Sequence, residues 1–264
     1  MLDLHSHILP GLDDGAATLE QSLEMAQIAV EDGIQGVVCT PHWSLAQSGN
    51  TRDRIMCATR RLAEQLDARQ IPLTLYPGAE LRLDSDLPQS IQDGKLLTIN
   101  DTGCFALIEL PETILPPGLE EFLWELRRRR ITPIISHPER NYGFYSNPMA
   151  LYRLVRMGVL TQITCVSVLR HFGARVKAFS LLLLKQRWCH VLASDAHGRR
   201  QRTPRLTEGR RMVEKVVGKQ TAWQMVDETP RLIVAGQSVH TPEPAEWRPP
   251  RLRFWQRPRA VETS

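Results

Sequence analysis

Short apolar runs alternate with longer amphipathic segments along most of this chain, and no other feature of the sequence constrains the fold as strongly. The apolar runs are rich in β-branched residues and bounded by Pro, Gly or Asp, which is typical of strands. After a first run that ends at residues 5–7, they cover 36–42, 73–81, 105–111, 132–139 and 189–197. Apolar residues spaced by three and four predict helices near 18–32, 51–69, 118–130, 147–158, 172–187 and 203–217.

A strand followed by a helix, repeated about every 30–40 residues, indicates a parallel sheet built from βα units. About seven such units fit in the 264 residues, which favours closure into a (β/α)7 barrel over an open sheet. We therefore expect an α/β fold. We place its single domain at 1–241, followed by a basic tail at 242–264 that is rich in Pro, Arg and Trp and has no strand or helix periodicity.

The residues at the ends of the predicted strands are the second informative pattern. In a parallel barrel the carboxyl ends of all strands meet on one face, so residues remote in sequence come together there. Imidazoles and carboxylates, the usual ligands of Mn, Fe and Zn, stand at nearly every one of these ends. They are His5, His7, His42, Glu80, Glu109, His137, Asp195 and His197.

Each of these residues alone has an ordinary structural explanation, but a run of five or six strand ends with only metal-competent side chains is hard to obtain by chance. His5 and His7 are two residues apart, so both point the same way from one strand. The Gly-rich loop that follows is expected to bring Asp14 back over the same site. The sequence therefore predicts a metal site.

Composition is ordinary for a globular protein, with 42% hydrophobic and 23% charged residues, and the net charge of +4 does not make the chain a polycation. No apolar run is long enough to span a membrane, and no signal peptide is visible. The five cysteines are scattered, never form CxxC, and are not followed by an Arg at the spacing of a cysteine-based phosphatase loop. We expect a cytoplasmic protein without a disulfide framework.

The segments "DLHSHILPGLDDG", "CTPH", "GAEL", "IELP", "SHPERN" and "SDAH" occur in this order within residues 1–235. Together they resemble the PHP-type metal-dependent phosphoesterases, and within them the bacterial protein-tyrosine phosphatases of capsule and exopolysaccharide systems. The carboxylates at Asp14 and Glu109, where many PHP phosphoesterases have His, are similar to the tyrosine phosphatase branch. The resemblance does not extend over the tail.

This resemblance implies a distorted (β/α)7 barrel and a cluster of three metal ions, usually Mn²⁺, although His/carboxylate sites also accept Fe and Zn. By motif, one metal would be held by His5, His7, Glu80 and Asp195. Glu80 would bridge to a second metal, held also by Glu109 and His137, and a third would be held by Asp14, His42 and His197.

The expected chemistry is hydrolysis of a phosphate monoester by a hydroxide generated at the metal cluster. Arg140, three residues after His137, and Arg202, five residues after His197, are the candidates for gripping phosphate oxygens. The resemblance implies that the substrate is the phosphotyrosine tail of a bacterial tyrosine kinase that controls polysaccharide synthesis or export. No general acid is assigned.

Two alternatives stay open at this point. The same site would also suit a sugar phosphate, a nucleotide or a nucleic-acid end, and a non-enzymatic metal-stabilised binding module is the third hypothesis. The sequence leaves open whether the chain forms a homo-oligomer. It also leaves open whether the tail, with five Arg, two Trp and one Phe in 247–259, contacts a membrane surface or nucleic acid.

Overall fold

A computed structural model describes residues 1–44 and 49–246 of the chain, and within these ranges it contains nine strands. Every pair of neighbouring strands is parallel. The strands are β1 (Leu2–Ser6), β2 (Gly36–Cys39), β3 (His42–Trp43), β4 (Thr74–Pro77), β5 (Glu80–Arg82), β6 (Phe105–Glu109), β7 (Thr132–Ser136), β8 (Leu160–Thr164) and β9 (Val191–Ala193).

The strands form two sheets, of order β1-β2-β4 and β3-β5-β6-β7-β8-β9. β3 follows β2 after a break at Thr40 and Pro41, and β5 follows β4 after a break at Gly78 and Ala79, so each pair continues one path through the fold. At the far end, β9 lies beside β1. The Asp195 N–H donates to the His5 carbonyl at 2.9 Å, just after β9 ends.

Helices connect the strands, except across the two short breaks, and cover the sheets, as parallel pairing requires. They are α1 (Leu19–Glu31), α2 (Arg52–Ala68), α3 (Leu87–Gln92), α4 (Leu119–Arg128), α5 (Tyr142–Ser146), α6 (Pro148–Arg156), α7 (Cys165–Val168), α8 (Gly173–Lys185), α9 (Thr207–Val217), α10 (Lys219–Trp223) and α11 (Thr229–Val234). A π-helical stretch, Gln224–Glu228, joins the last two.

The helix ends follow from local sequence. The Thr18 side chain accepts a hydrogen bond from the Gln21 N–H at the start of α1, as the sequence predicts, and Thr51 accepts one from the Arg54 N–H at the start of α2. Gly33, with φ of +85°, follows the last turn of α1 in the left-handed conformation that glycine adopts without strain.

Alternate residues of the strands enter two separate apolar layers. Val37 packs in the larger core with the helices, whereas its neighbour Val38 packs in a smaller cluster with Leu2, Leu4 and Leu107. This alternation explains why the strands read as continuous apolar runs, since both faces of the parallel sheets are covered. Polar side chains then concentrate where the strands end.

The sequence predicted six of the helices with ends within about four residues, but it missed β8 and the short helices. Strand β8 reads LTQIT, and its polar residues conceal the apolar pattern of a buried strand. The predicted strands at 36–42 and 73–81 are each interrupted, the first next to Pro41 and the second at Gly78, residue types that interrupt strands.

The predicted tail at 242–264 is described only as far as Glu246, and its remainder lies outside the described residues. Its first part contacts the body of the protein. The Trp188 indole N–H donates to the Ala245 carbonyl at 3.0 Å, and the Ala245 N–H donates to the Gln186 carbonyl at 2.9 Å. A search of the described residues finds no helix long and apolar enough to cross a membrane.

A buried histidine outside the strand ends gives the fold a pH-dependent contribution. His190 lies just before β9, and its Nδ1 accepts a hydrogen bond from the Thr161 N–H of β8 at 3.0 Å. Burial lowers the pKa of His190 to about 4, below the unfolded value of about 6.5. As pH falls from 6.5 towards 4, the unfolded chain takes up a proton that the folded chain excludes, so stability falls.

We therefore predict that His190→Asn, which keeps an acceptor but cannot be protonated, loses less stability in acid than the unsubstituted protein. Between pH 7 and 4.5 the difference in unfolding free energy is expected to be on the order of 2 kcal/mol. Urea unfolding of both metal-free proteins at several pH values measures it. If the unfolding free energies of the two proteins change with pH in parallel, His190 does not contribute to the loss of stability in acid.

Candidate metal centre

The carboxyl ends of the strands converge on one face, and the nine predicted ligands meet there. His5 lies within β1, His42 within β3, Glu80 within β5 and Glu109 at the end of β6. His7, His137, Asp195 and His197 follow their strands by one to four residues, and Asp14 returns in the loop between β1 and α1. His5, His7, Glu80, His137 and Asp195 are buried, His42, Glu109 and His197 are partly buried, and the Asp14 side chain is 67% exposed.

The most buried part surrounds His5. Its Nε2 lies 3.1 Å from His7 Nε2, 3.4 Å from Asp195 Oδ1 and 3.5 Å from Glu80 Oε2. These four residues are the set that the sequence assigned to one metal. Their ligand atoms face one another closely enough for one ion to contact them all, with modest adjustment of the side chains.

Glu80 connects this group to a second one. Its Oε1 lies 3.0 Å from His137 Nε2, and His137 Nε2 is 3.9 Å from Glu109 Oε1. His42 Nδ1 also faces this group, at 3.0 Å from Glu80 Oε2 and 3.6 Å from Glu109 Oε2. His42 therefore stands between the second group and the third, to which alone the resemblance had assigned it.

The third group lies towards the surface. Asp14 Oδ1 is 3.5 Å from His42 Nε2 and 3.4 Å from His197 Nε2. His7 also offers a ligand atom here, so that atoms of His7, Asp14, His42 and His197 all lie within 4.8 Å of one another. His7 and His42 each belong to two groups, a sharing that the sequence did not predict.

Two of these residues hold left-handed backbone conformations, which are unusual for residues other than glycine. His137 has φ of +31° and Asp195 has φ of +53°. Such conformations store strain that the surrounding structure must compensate, and they cluster at functional sites. Here they occur at the points where the chain leaves β7 and β9 and turns its side chains into the cluster.

The electrostatics of the cluster are strongly coupled. Burial lowers the pKa of His5, but the carboxylates of Glu80 and Asp195 outweigh that effect and raise it to about 10. Burial raises the pKa of Glu80, but neighbouring imidazoles, first of all His5, hold it well below its usual range. Burial is the main cause that lowers the pKa of His197 to about 3, so this ring stays neutral and can act as a ligand.

Several buried atoms in the cluster lack hydrogen-bond partners within the described ranges. They include His42 Nδ1, Glu80 Oε2 and Asp195 Oδ1, which all point into the centre of the cluster. Unpaired buried acceptors are costly. A set of imidazole nitrogens and carboxylate oxygens that face each other without hydrogen bonds fits divalent metal ions.

The two predicted arginines both contact the cluster through Asp195. Arg140 Nη1 donates to Asp195 Oδ2 at 2.8 Å, and Arg202 Nη2 forms an ion pair with the same oxygen. The Arg202 Nε also donates to the Asp195 carbonyl at 3.1 Å. Both guanidinium groups line a cavity of about 180 Å³, together with all the candidate ligands except His5 and His7.

Sequence analysis missed two residues that orient the ligands. Asp13 Oδ2 lies 2.6 Å from His7 Nδ1 and accepts the His42 N–H at 3.0 Å, and Gln162 Oε1 lies 2.9 Å from His5 Nδ1. Such partners fix the tautomer and the orientation of a ligand imidazole. The signals were the Asp doublet at 13–14 and a lone Gln inside a buried strand.

The cysteines take no part in this site. The structure contains no disulfide between the five cysteines, all of which fall in its described ranges. Burial raises the pKa of the Cys39 and Cys165 thiols to about 12, so neither forms a thiolate near neutral pH.

A parallel α/β fold with an imidazole and carboxylate cluster at its strand ends is a candidate metalloprotein, and comparison with known proteins identifies the group to which it belongs. Residues 1–235 match the family described as "Capsular polysaccharide synthesis, CpsB/CapC". The chain belongs to the CpsB/CapC family.

Relatives of known name support this assignment along nearly the whole chain. The tyrosine-protein phosphatase YwqE of Bacillus subtilis (strain 168) is 36% identical over 250 residues, which cover 94% of this chain and 98% of YwqE. The tyrosine-protein phosphatase CpsB of Streptococcus agalactiae is 28% identical over 244 residues, 90% of this chain and 100% of CpsB.

The fold is similar to a solved structure as well. A chain from the crystal structures of YwqE from Bacillus subtilis and CpsB from Streptococcus pneumoniae, described there as unique metal-dependent tyrosine phosphatases, superimposes with a TM-score of 0.90. It is 35% identical in sequence, and the match covers 94% of this chain and 100% of that chain. The α/β fold with parallel sheets is therefore shared with these relatives.

The loop that carries Asp13 and Asp14 gives a test of the site's construction. A Cβ added at Gly15 would lie 2.1 Å from the His7 carbonyl oxygen and 2.5 Å from His7 Cβ, and the backbone atom cannot move aside. We predict that Gly15→Ala displaces the loop and weakens Mn²⁺ binding by about 10- to 100-fold, the usual cost of disturbing groups that orient metal ligands. Titration calorimetry of the metal-free protein measures this.

Gly198→Ala is the matched control, because Gly198 also follows a candidate ligand directly. The nearest atom to its added Cβ is the Gln201 carbonyl oxygen at 3.7 Å, an ordinary contact. Its Mn²⁺ affinity should stay unchanged. Equal affinities of the Gly15 and Gly198 variants would contradict the role of the loop.

Proposed function

We propose that this chain is a metal-dependent protein-tyrosine phosphatase. Its substrate would be the phosphotyrosine tail of a bacterial tyrosine kinase that controls polysaccharide synthesis or export. The single observation that carries the proposal is the buried cluster in which Glu80 Oε2, Asp195 Oδ1 and His42 Nδ1 face one another without hydrogen bonds. Named relatives of the family with tyrosine phosphatase activity give the substrate class.

The proposed metal ligands follow the three groups of the cluster. His5, His7, Glu80 and Asp195 hold the first ion, Glu80 with Glu109 and His137 holds the second, and Asp14, His42 and His197 hold the third. Mixed imidazole and carboxylate ligands suit Mn²⁺, and Fe and Zn would bind to the same donors. Because Glu80 is buried between the first two groups, it is the residue placed to bridge them.

When bound, divalent ions neutralise phosphate oxygens and lower the pKa of water, so that hydroxide is available near neutral pH for attack on phosphorus. The chain's own residues prepare the donors for this task. The Asp13 carboxylate and the Gln162 side-chain oxygen accept from the Nδ1–H groups of His7 and His5, which directs each Nε2 into the site as the atom that would bind a metal ion.

Arg140 and Arg202 bind the phosphate in this proposal. Both guanidinium groups line the same cavity as Asp14, His42 and His197, and each carries several N–H donors in a planar fork. Such forks match phosphate oxygens bidentately and strengthen as negative charge develops. Tyrosinate, with a parent pKa of about 10, is a fairly good leaving group, so no general acid is assigned.

Arg140 has a second task, because it also lies against the buried Asp195. It donates to Asp195 Oδ2 with Nη1 and to Glu112 Oε1 with Nη2, at 2.8 Å and 3.1 Å. These contacts fix the guanidinium and leave Asp195 Oδ1 facing the cluster. Glu112, which sequence analysis did not select, therefore helps to place the proposed phosphate ligand.

The proposed architecture is the distorted (β/α)7 barrel. The breaks between β2 and β3 and between β4 and β5 reduce the nine strands to seven positions. A parallel bridge between Ser6 and Ala196, beyond the last strand, supports closure of the array. The proposed domain covers 1–241 and the tail 242–264, and the proposed location is the cytoplasm, where the five unpaired cysteines stay reduced.

The proposal separates two kinds of substitution. Asp195→Ala, like His5→Ala or Glu80→Ala, should lose both bound metal and turnover of a phosphotyrosine peptide. Arg140→Ala should lose turnover by about 100-fold while its metal content stays unchanged, because its guanidinium binds phosphate and not metal. Elemental analysis of each protein, with peptide kinetics in Mn²⁺, measures both quantities.

Arg153→Ala serves as the control, since this exposed arginine pairs with Glu120 on the helical surface and should behave like the unsubstituted protein. Full turnover in any of the three ligand variants would contradict the metal mechanism. Loss of metal from Arg140→Ala would show that this residue only supports Asp195. Turnover of para-nitrophenyl phosphate or of mononucleotides without turnover of the peptide would favour a small phosphate or a nucleic-acid end as the substrate.

A further inference from the structure

An exposed aromatic and cationic surface lies beside the candidate metal centre and has no part in it. We call it the Tyr142 patch and define it by Ile114, Tyr142, Tyr145 and Arg175. Ile114 is 57% exposed, Tyr142 51% and Tyr145 43%, and these are three of the five large hydrophobic residues most exposed in the described part of the chain. Their proximity makes this a contact surface and not a scatter of single residues.

The patch is rigidly attached to the site. The Tyr142 N–H donates to the Glu112 carbonyl at 2.7 Å, and the Asn141 side-chain amide donates to the Ile114 carbonyl at 3.3 Å. These bonds tie α5 to the segment that follows β6, whose last residue is Glu109. The carboxylate of the same Glu112 accepts from Arg140, so the patch and the proposed phosphate ligand share one support.

Arg175 is the cation of the patch. Its Cζ lies 5.4 Å from the centre of the Tyr142 ring and 5.2 Å from the centre of the Tyr145 ring, so one guanidinium contacts two aromatic faces. No ion pair in residues 1–44 and 49–246 involves Arg175, although most other arginines near the site have a carboxylate partner. Stacking on rings fixes the guanidinium and leaves its N–H groups available for an anion.

The position of the patch suits a peptide that is bound at the metal centre. Tyr142 follows Arg140 by two residues, so their Cα atoms are at most about 7 Å apart. Arg140 Cζ lies 5.0 Å from the Phe172 ring, and Phe172 precedes Arg175 by three residues. An extended peptide advances about 3.3 Å per residue, so a side chain two to four positions from the phosphotyrosine reaches the patch.

We propose that the Tyr142 patch binds the substrate peptide beside its phosphotyrosine, with Arg175 pairing with an acidic side chain of that peptide. The two tyrosine rings and Ile114 pack against its aliphatic portion. The proposal rests on the proposed phosphatase function and adds to it a determinant of substrate choice. Charge complementarity selects this occupant, because the patch offers, between apolar surfaces, a cation that has no carboxylate partner in the described part of the chain.

The experiment varies the peptide and the protein together. Neutral peptides with one phosphotyrosine carry a single Glu at each position from −4 to +4, and matched peptides carry Gln instead. Kinetics in Mn²⁺ are measured for the unsubstituted protein and Arg175→Gln, with para-nitrophenyl phosphate as a substrate that cannot reach the patch. Arg156→Gln is the control, because Arg156 is also exposed and lies over a tyrosine, Tyr152, with a Cζ to ring-centre distance of 6.0 Å.

Arg156 stands at the end of α6, which leads into the start of β8, at the opposite end of the strands from the metal centre.

For the unsubstituted protein we expect KM to fall about threefold to fivefold when Glu occupies one preferred position, the scale of one exposed charged contact. Arg175→Gln should abolish this preference, and Arg156→Gln should keep it. None of the variants should change turnover of para-nitrophenyl phosphate.

Equal KM values for the Glu and Gln peptides at every position would overturn the proposal, and so would an unchanged preference in Arg175→Gln. Self-association of the protein is measured by sedimentation. If Arg175→Gln loses self-association together with the Glu preference, the patch is instead a contact between two copies of the chain. Absence of turnover on para-nitrophenyl phosphate as well as on peptides would instead reject the proposed function on which this inference rests.

Discussion

Two carboxylates, Glu80 and Asp195, lie buried at the centre of this protein, and the arrangement around them depends on the need to neutralise their charge. Taking a carboxylate out of water costs several kcal/mol unless a cation or a set of donors replaces the lost hydration. Arg140 and Arg202 satisfy one oxygen of Asp195. Glu80 Oε2 and Asp195 Oδ1 have no hydrogen-bond donor within the described ranges, so the remaining neutralisation falls to imidazoles and, in our proposal, to metal ions.

The parallel fold explains why such a cluster is available. Strands β1, β3, β5, β6, β7 and β9 each deliver one or two candidate ligands, and the apolar residues of the strands hold their ends in place from both faces. The left-handed backbone at His137 and Asp195 then turns the chain into the site. The rigid strands therefore anchor the short connections that carry His7, His137 and Asp195, and the tightly packed loop around Gly15 carries Asp14.

The sequence predicted which imidazoles and carboxylates meet at the strand ends, because those ends are marked by abrupt changes from apolar to polar residues. The Thr18 cap and the end of α1 near Gly33 could also be predicted, since both depend on local chemistry. Strand β8 and its Gln162 could not, because burial of LTQIT depends on packing between β7 and β9. Between Asp13 and Asp14, only the folded loop decides which carboxylate faces the metal side and which orients His7. The sequence also does not show that His7 and His42 are each shared between two groups, because this depends on how the strand ends meet in the folded protein.

The central claim is that the imidazole and carboxylate cluster binds divalent ions and uses them to hydrolyse phosphotyrosine. The most direct measurement removes metal from the purified protein with a chelator and then adds Mn²⁺ stepwise, recording bound metal and phosphotyrosine-peptide turnover in the same samples. The account predicts that turnover disappears with the metal and returns as the cluster fills with up to about three ions per chain. Full turnover by the metal-free protein would contradict it.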